Sequence, residues 1–373
     1  MTTIDDPTQL VRAIADGGAG PGDLDRLIAL GAPALPALVD GLAAGANVPT
    51  LTTAMAALGV PAPLATFEPL LAHAAMAVRR AAVAALGATR DAAAVPILAQ
   101  RLRAMPAAVA DALADLAHPD GIAPLRDYVA AAAPTAAPGP AWAAAGVASQ
   151  VVAAVGAVGA LARLGDHTHA ALALGAIEVD ADEAVRLAGV RALRYVTVPG
   201  VAAALARAAR DPDAEVATRA LEATLLLGRP AEAALWIAMI AADDPNADLA
   251  RWCLAAWAGA WLPDAATLTD RATAEAWWQQ AQPFVVSDRC YRLGALADPG
   301  ALLDGLAAPP SGFLRAELRA RTGCPAVWER LAGDPASPGE LAGVRAWWAT
   351  HGARFTPGEL HRWGRVVAPS IVD

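Results

Sequence analysis

Six arginines recur close to the starts of repeated helical segments: Arg79, Arg80, Arg186, Arg191, Arg219 and Arg251. A guanidinium offers a planar fork of donors that fits a carboxylate, so a row of them on one face would grip an acidic partner. Acids stand nearby in the chain, with Asp180, Asp182 and Glu183 before Arg186, and Asp213 and Glu215 before Arg219. Seven arginines between positions 186 and 229 meet seven acids between 180 and 222. A ladder of ion pairs within and between neighbouring segments is therefore the competing reading. Tryptophan is the second group, and ten of the 11 lie from Trp236 onward. Such rings serve either as anchors at interfaces or as filling for a core of small side chains. Adjacent residues on a helix point about 100° apart, so one ring in each of the pairs Trp277-Trp278 and Trp347-Trp348 must turn away from whatever the other packs on. The candidate partner-binding set is Arg79, Arg80, Arg186, Arg219, Arg251, Trp252, Trp347 and Trp348.

Other chemistry is narrowed by what the 373 residues contain. All 28 basic side chains are arginine, which closes routes through a phosphate-loop lysine or a Schiff base. His167-Thr-His169 beside Asp166 has the look of a metal site, but an i, i+2 pair on a helix aims its rings apart. No catalytic residue set, metal site or cofactor site is assigned. Cys253, Cys290 and Cys324 are far apart and odd in number, which implies no disulfide framework, and Cys253 falls on an apolar stripe as a buried thiol. The net charge of −9 argues against a nucleic-acid partner. The start of the chain lacks the basic and apolar regions of a signal peptide, so a cytoplasmic protein is expected. Residues 142–162 are uncharged and long enough to cross a bilayer, yet they are mostly Ala, Gly and Val, and no membrane span is expected.

These side chains must be positioned by a repeat. Val48, Val78, Val109, Val152, Val185, Val216 and Leu249 are spaced by 30, 31, 43, 33, 31 and 33 residues. Each is followed at +4 and +7 by apolar or small residues, giving one stripe of a helix. The long interval holds Pro134–Trp142, whose prolines read as an inserted loop. A second helical segment with an early proline often precedes each anchor, as in ALPALVDGL and AAVPILAQRL. The unit is a helical hairpin of about 30–35 residues that buries its apolar face by stacking on the next. The 103 alanines, about 28% of the chain, supply the small side chains that close stacking requires. Gly87 and Gly228 read as glycines just past helix ends.

The runs AMAVRRAAVAALGATRDAAAVPIL and DPDAEVATRALEATLLLGRPAEAAL resemble bacterial HEAT-like repeats of the phycobilisome-lyase type. That resemblance covers residues 20–262 and implies an all-α fold, a right-handed α-solenoid of about seven hairpins over residues 1–262. Residues 263–373 form a Trp-rich helical region, a cap or small domain. Ser337-Pro-Gly-Glu340 and Thr356-Pro-Gly-Glu359 read as twin capping boxes that start helices. The element Arg-x-Trp-Trp, seen at Arg345–Trp348 and followed by Gly-Ala-Arg-Phe, resembles the tail of an uncharacterised proteobacterial HEAT-like family whose members sometimes lie near type VI secretion genes.

Together these features point to a non-enzymatic scaffold that holds another protein on a curved surface. The second resemblance implies an adaptor or immunity protein tied to secretion. The alternative is an enzyme on the same architecture, acting like a chromophore lyase or a DNA glycosylase; the latter needs a basic groove around a catalytic acid.

Overall fold

The structure, a computed structural model, describes residues 6–18, 22–44, 47, 50–51, 54–55, 64–133, 147–178, 182–240, 244–262, 268, 270–287, 289–306, 312–324, 338–368 and 372. The chain is mostly α-helical. It divides into two compact units, each drawn from separate stretches. One comprises Met1–Tyr128, Leu303–Arg319 and Cys324–Ala349; the other comprises Val129–Leu302, Ala320–Gly323 and Thr350–Asp373. Residues 263–373 are thus shared between the two.

In the second unit, helices Val147–Leu164, Glu183–Leu193, Ala214–Leu227 and Ala247–Ala258 pack each on the next. Shorter helices precede three of them, Ala170–Ala176, Val201–Ala208 and Pro230–Met239, and each packs on the longer helix that follows. The first unit repeats the arrangement with Met76–Ala88 against Pro106–Leu116. Val78, Val109, Val185 and Val216 are buried together with their +4 and +7 neighbours, as the spacing predicts. Two helices depart from that register by one residue. In helix 147–164 Val151, Val155 and Val158 are buried while Val152 is partly buried and Gly156 is exposed, although Gly159 is buried; in helix 247–258 Ala250, Leu254 and Trp257 are buried while Leu249 and Ala256 are partly buried, although Cys253 is buried. At Val155 and Trp257 the larger side chain took the inward face beside Gly156 and Ala256, because burying a Val or Trp removes more apolar area than burying Gly or Ala. Val48 and Thr52 lie outside the described residues.

Small side chains do bring helices close. A methyl group added at Gly87 would sit 2.7 Å from the Cα of Ala112, so Gly87, in the last turn of helix 76–88 and not past its end, works at a helix crossing. Gly228, in contrast, ends helix 214–227 with φ +64, as a C-terminal glycine should. Asp182 and Asp213 cap helices 183–193 and 214–227 by accepting two backbone N–H bonds each. The apolar helix 147–164 meets the length and composition of a membrane span, and most of it is buried inside the second unit.

The strands are a departure from the sequence reading. Thr356-Pro-Gly-Glu359 does not start a helix: Gly358 has φ +82, its N–H donates to Ala297 O and its carbonyl accepts from Cys290 N. The chain there enters a hairpin, β3 (Leu360–Arg362) paired antiparallel with β4 (Arg365–Val367). A matching hairpin is made by β1 (Tyr291–Arg292) and β2 (Ala295–Leu296). Both turn through two residues of positive φ, Leu293-Gly294 and Trp363-Gly364, the backbone of a tight two-residue turn. Ser337 lies outside the described residues; the helix it would cap, Pro338–His351, begins at the proline.

The hairpins reveal a duplication. Helices Pro230–Met239, Ala247–Ala258 and Arg271–Ala281, the 3-10 turn Gln282–Phe284 and the first hairpin recur as Pro299–Gly305, Gly312–Thr322, Pro338–His351, Gly352–Arg354 and the second hairpin. Trp277 and Trp347, Arg292 and Arg362, and Gly294 and Gly364 are each 70 residues apart. Each turn caps a helix end with its N–H groups. Leu293 and Gly294 donate to Ala256 O and Trp257 O, and Trp363 and Gly364 donate to Ala320 O and Arg321 O. Orphan carbonyls at helix C-termini carry partial negative charge, which also draws in Arg292 to Ala256 O and Arg362 to Leu226 O.

Candidate binding surface

Arg186 makes a two-pronged bond to Asp211, with Nε 2.7 Å and Nη2 3.0 Å from its oxygens, and both side chains are largely buried. Arg219 lies 3.0 Å from Glu222 and 3.8 Å from Glu215, and Arg191 lies 3.0 Å from the same Glu215. Arg251 is bonded to Asp248. Arg79 spends its guanidinium on the carbonyls of His73 and Ala74, at 2.5 and 2.7 Å, closing the turn that precedes its helix. Arg80 is exposed. The row is thus mostly a set of pairs, two of which, Arg186–Asp211 and Arg191–Glu215, join one repeat to the next. Exposed pairs of this kind contribute at most about 1 kcal/mol each, and more where the fork is two-pronged and buried as at Arg186.

The tryptophans separate into two groups. Trp347 and Trp348 are half-buried against an apolar cluster of Leu303, Leu306, Leu318, Cys324 and Val344 in the first unit. Trp252 is 41% exposed. The rest of the story lies in rings outside the candidate set. Trp257 is fully buried and meets Trp236, Trp261, Trp278 and Tyr291 with ring centres 5.8 to 6.4 Å apart. Trp236 and Trp257 satisfy their N–H groups on Thr224 Oγ1 and Gly228 O, so burial leaves no polar debt.

Against this cluster sits a groove of about 410 Å³ lined by Trp261, Trp277, Gln280, Ala281 and Phe284. Positions 277, 280, 281 and 284 fall at i, i+3, i+4 and i+7, one continuous stripe running from helix 271–281 into the 3-10 turn. Trp277 gives its N–H to Trp261 O at 3.1 Å, which fixes the two indoles relative to each other. Phe284 is 80% exposed, and Val286 just beyond it is also exposed. The stripe carries no charge, and the Gln280 amide is its one polar side chain. Arg271 and Glu275 on the same helix are paired with each other 2.6 Å apart. Phe284, Gln280 and Trp277 were missed from the sequence as a group. Their W-x-x-Q-A-x-x-F spacing marks one helical stripe without showing whether that stripe is covered.

Titratable groups in the second unit serve packing. Glu232 is buried against Arg229, 2.6 Å away; burial raises its pKa and the guanidinium opposes the rise. Arg362 is pulled down to about 9 by burial and by Arg321. The Cys253 thiol faces Leu221 O at 3.8 Å and is pushed far up by burial, which makes it a poor nucleophile. His167 of the His-Thr-His motif lies 2.8 Å from Thr197 Oγ1. No cluster of three metal-ligating side chains occurs among the described residues.

No protein-family model matches the chain, and no curated protein matches it. Among solved structures it is similar to the crystal structure of an engineered protein, at 14% identity over 93% of this chain and 95% of that one. The TM-score is 0.36, too low for the likeness to bear on fold or function.

Proposed function

We propose that the protein is a non-enzymatic binding scaffold, a HEAT-like right-handed solenoid of about seven hairpins in the bacterial cytoplasm, that holds another protein at the 261–284 groove. The observation that carries this reading is the exposure of Phe284 beside Trp261 and Trp277. A phenyl ring held in water next to two fixed indoles is the composition of an interface anchor. The arginines contribute mainly to holding repeats together, so the contact is apolar and not electrostatic. The resemblance of the tail to a family found near secretion genes makes a secretion-linked adaptor the specific form of the proposal. The test is a pull-down from the native host with wild-type protein and Phe284→Arg. A stoichiometric partner recovered by the first and lost by the second, at equal thermal stability, supports the reading; recovery of none, or equal recovery by both, overturns it.

A further inference from the structure

The duplicated hairpins differ at one position whose chemistry is pH-dependent: Tyr291 in the first stands where His361 stands in the second, 70 residues on. His361 is 1% exposed, its ring edge-on to Phe355 with centres 5.1 Å apart. Its Nε2 lies 3.3 Å from Thr356 O, to which it donates, and 3.7 Å from Glu359. Its Nδ1 is buried and has no hydrogen-bond acceptor. A second proton would have to go on that nitrogen, where neither water nor an acceptor receives it.

The charges around the ring add to the cost. Arg321 reaches it from the end of helix 312–322, Arg354 from the 3-10 turn, and the buried Arg362 follows it in β3. Glu359, on the loop before β3, is the one opposing charge beside it among the described residues, and its side chain is partly in solvent. The balance favours a neutral ring while the hairpin is docked, and burial and the arginines hold its pKa down. The same hairpin ties several helix ends. Trp363 packs edge-on to Tyr195 and stacks on the Arg163 guanidinium, Arg365 donates to Arg163 O, and Arg362 donates to Leu226 O.

We propose that the second hairpin is a proton-sensitive strap, docked across the helix ends at neutral pH and released in acid by protonation of His361. A histidine with an ordinary pKa near 6.5 once undocked, and held below that when docked, makes undocking more favourable as pH falls below 6.5, by up to about 30-fold between pH 7.5 and pH 5. The first hairpin is the built-in control, because a phenol takes up no proton over that range. The experiment is residue-resolved hydrogen exchange on the full chain at pH 7.5 and pH 5, corrected for intrinsic chemistry. The amides of Trp363 and Gly364 should lose protection at pH 5, by up to about 30-fold, while those of Leu293 and Gly294 hold. His361→Tyr, which copies the first hairpin, and His361→Gln should each remove most of that loss. Equal behaviour of the two hairpins in wild-type protein overturns the proposal without any variant, as does a loss that survives either substitution.

Discussion

The two copies of the three-helix and hairpin segment share a backbone and differ in what they show to water. In the second copy, the 3-10 turn ends in Arg354 and the hairpin turn carries Trp363, laid over Arg163 and Tyr195. In the first, the same positions are Phe284, 80% exposed, and Leu293, 50% exposed. One copy spends its large side chain on tying helix ends together. The other leaves apolar side chains in solvent, where they contribute nothing to folding. The two copies follow the same order of elements, and the difference lies in side chains at matched positions.

The contrast is open to attack at several points. Trp257→Ala should have the largest effect, about 3–5 kcal/mol lost in denaturant unfolding, since the ring is fully buried at the centre of the aromatic cluster. A loss under 1 kcal/mol would mean that the first copy is not anchored through this cluster. Next, Trp363→Ala should cost about 2 kcal/mol through lost apolar burial and the stack on Arg163. Its counterpart Leu293→Ala should stay within about 0.5 kcal/mol. Equal costs at the two turns would erase the asymmetry.

A pH series sharpens the same comparison. His167 is also held below its ordinary pKa, by burial and by Arg365, with Asp166 opposing. Both histidines are less basic folded than unfolded, so their contribution is complete above about pH 6.5 and is lost as pH falls from there toward the folded values. Stability against equilibrium unfolding should therefore fall between pH 6.5 and 5, and the double variant His167→Gln with His361→Gln should flatten that part of the curve. A wild-type curve already flat there would contradict the buried, neutral rings.

Much of the helical framework is legible in the sequence, because a stripe of small residues repeated every 31 or so positions has few other uses. Val78, Val109, Val185 and Val216 mark it correctly. The stripe slipped by one residue at Val151 and Ala250, where the neighbours Val152 and Leu249 are also apolar and the period alone does not choose between them. The hairpins were hidden for a different reason. Their strands are two or three residues long, and their turns are Leu-Gly and Trp-Gly in place of the Asn-Gly that usually announces such a turn. Thr356-Pro-Gly-Glu359 fits a helix start in composition, and the positive φ of Gly358 decides against it. The pairing of arginines with acids was readable as one of two alternatives from their balance. The groove was not, since nothing in W-x-x-Q-A-x-x-F says which helical face tertiary packing leaves uncovered.

The central claim is that binding resides in the uncharged aromatic stripe of the first copy and not in the arginine row. It is tested most directly by comparing Phe284→Arg with Arg80→Glu in a quantitative pull-down, with both variants checked for unchanged thermal unfolding. Retention of the partner by Arg80→Glu and its loss with Phe284→Arg is the predicted result. Retention by Phe284→Arg, or loss with Arg80→Glu alone, would contradict it.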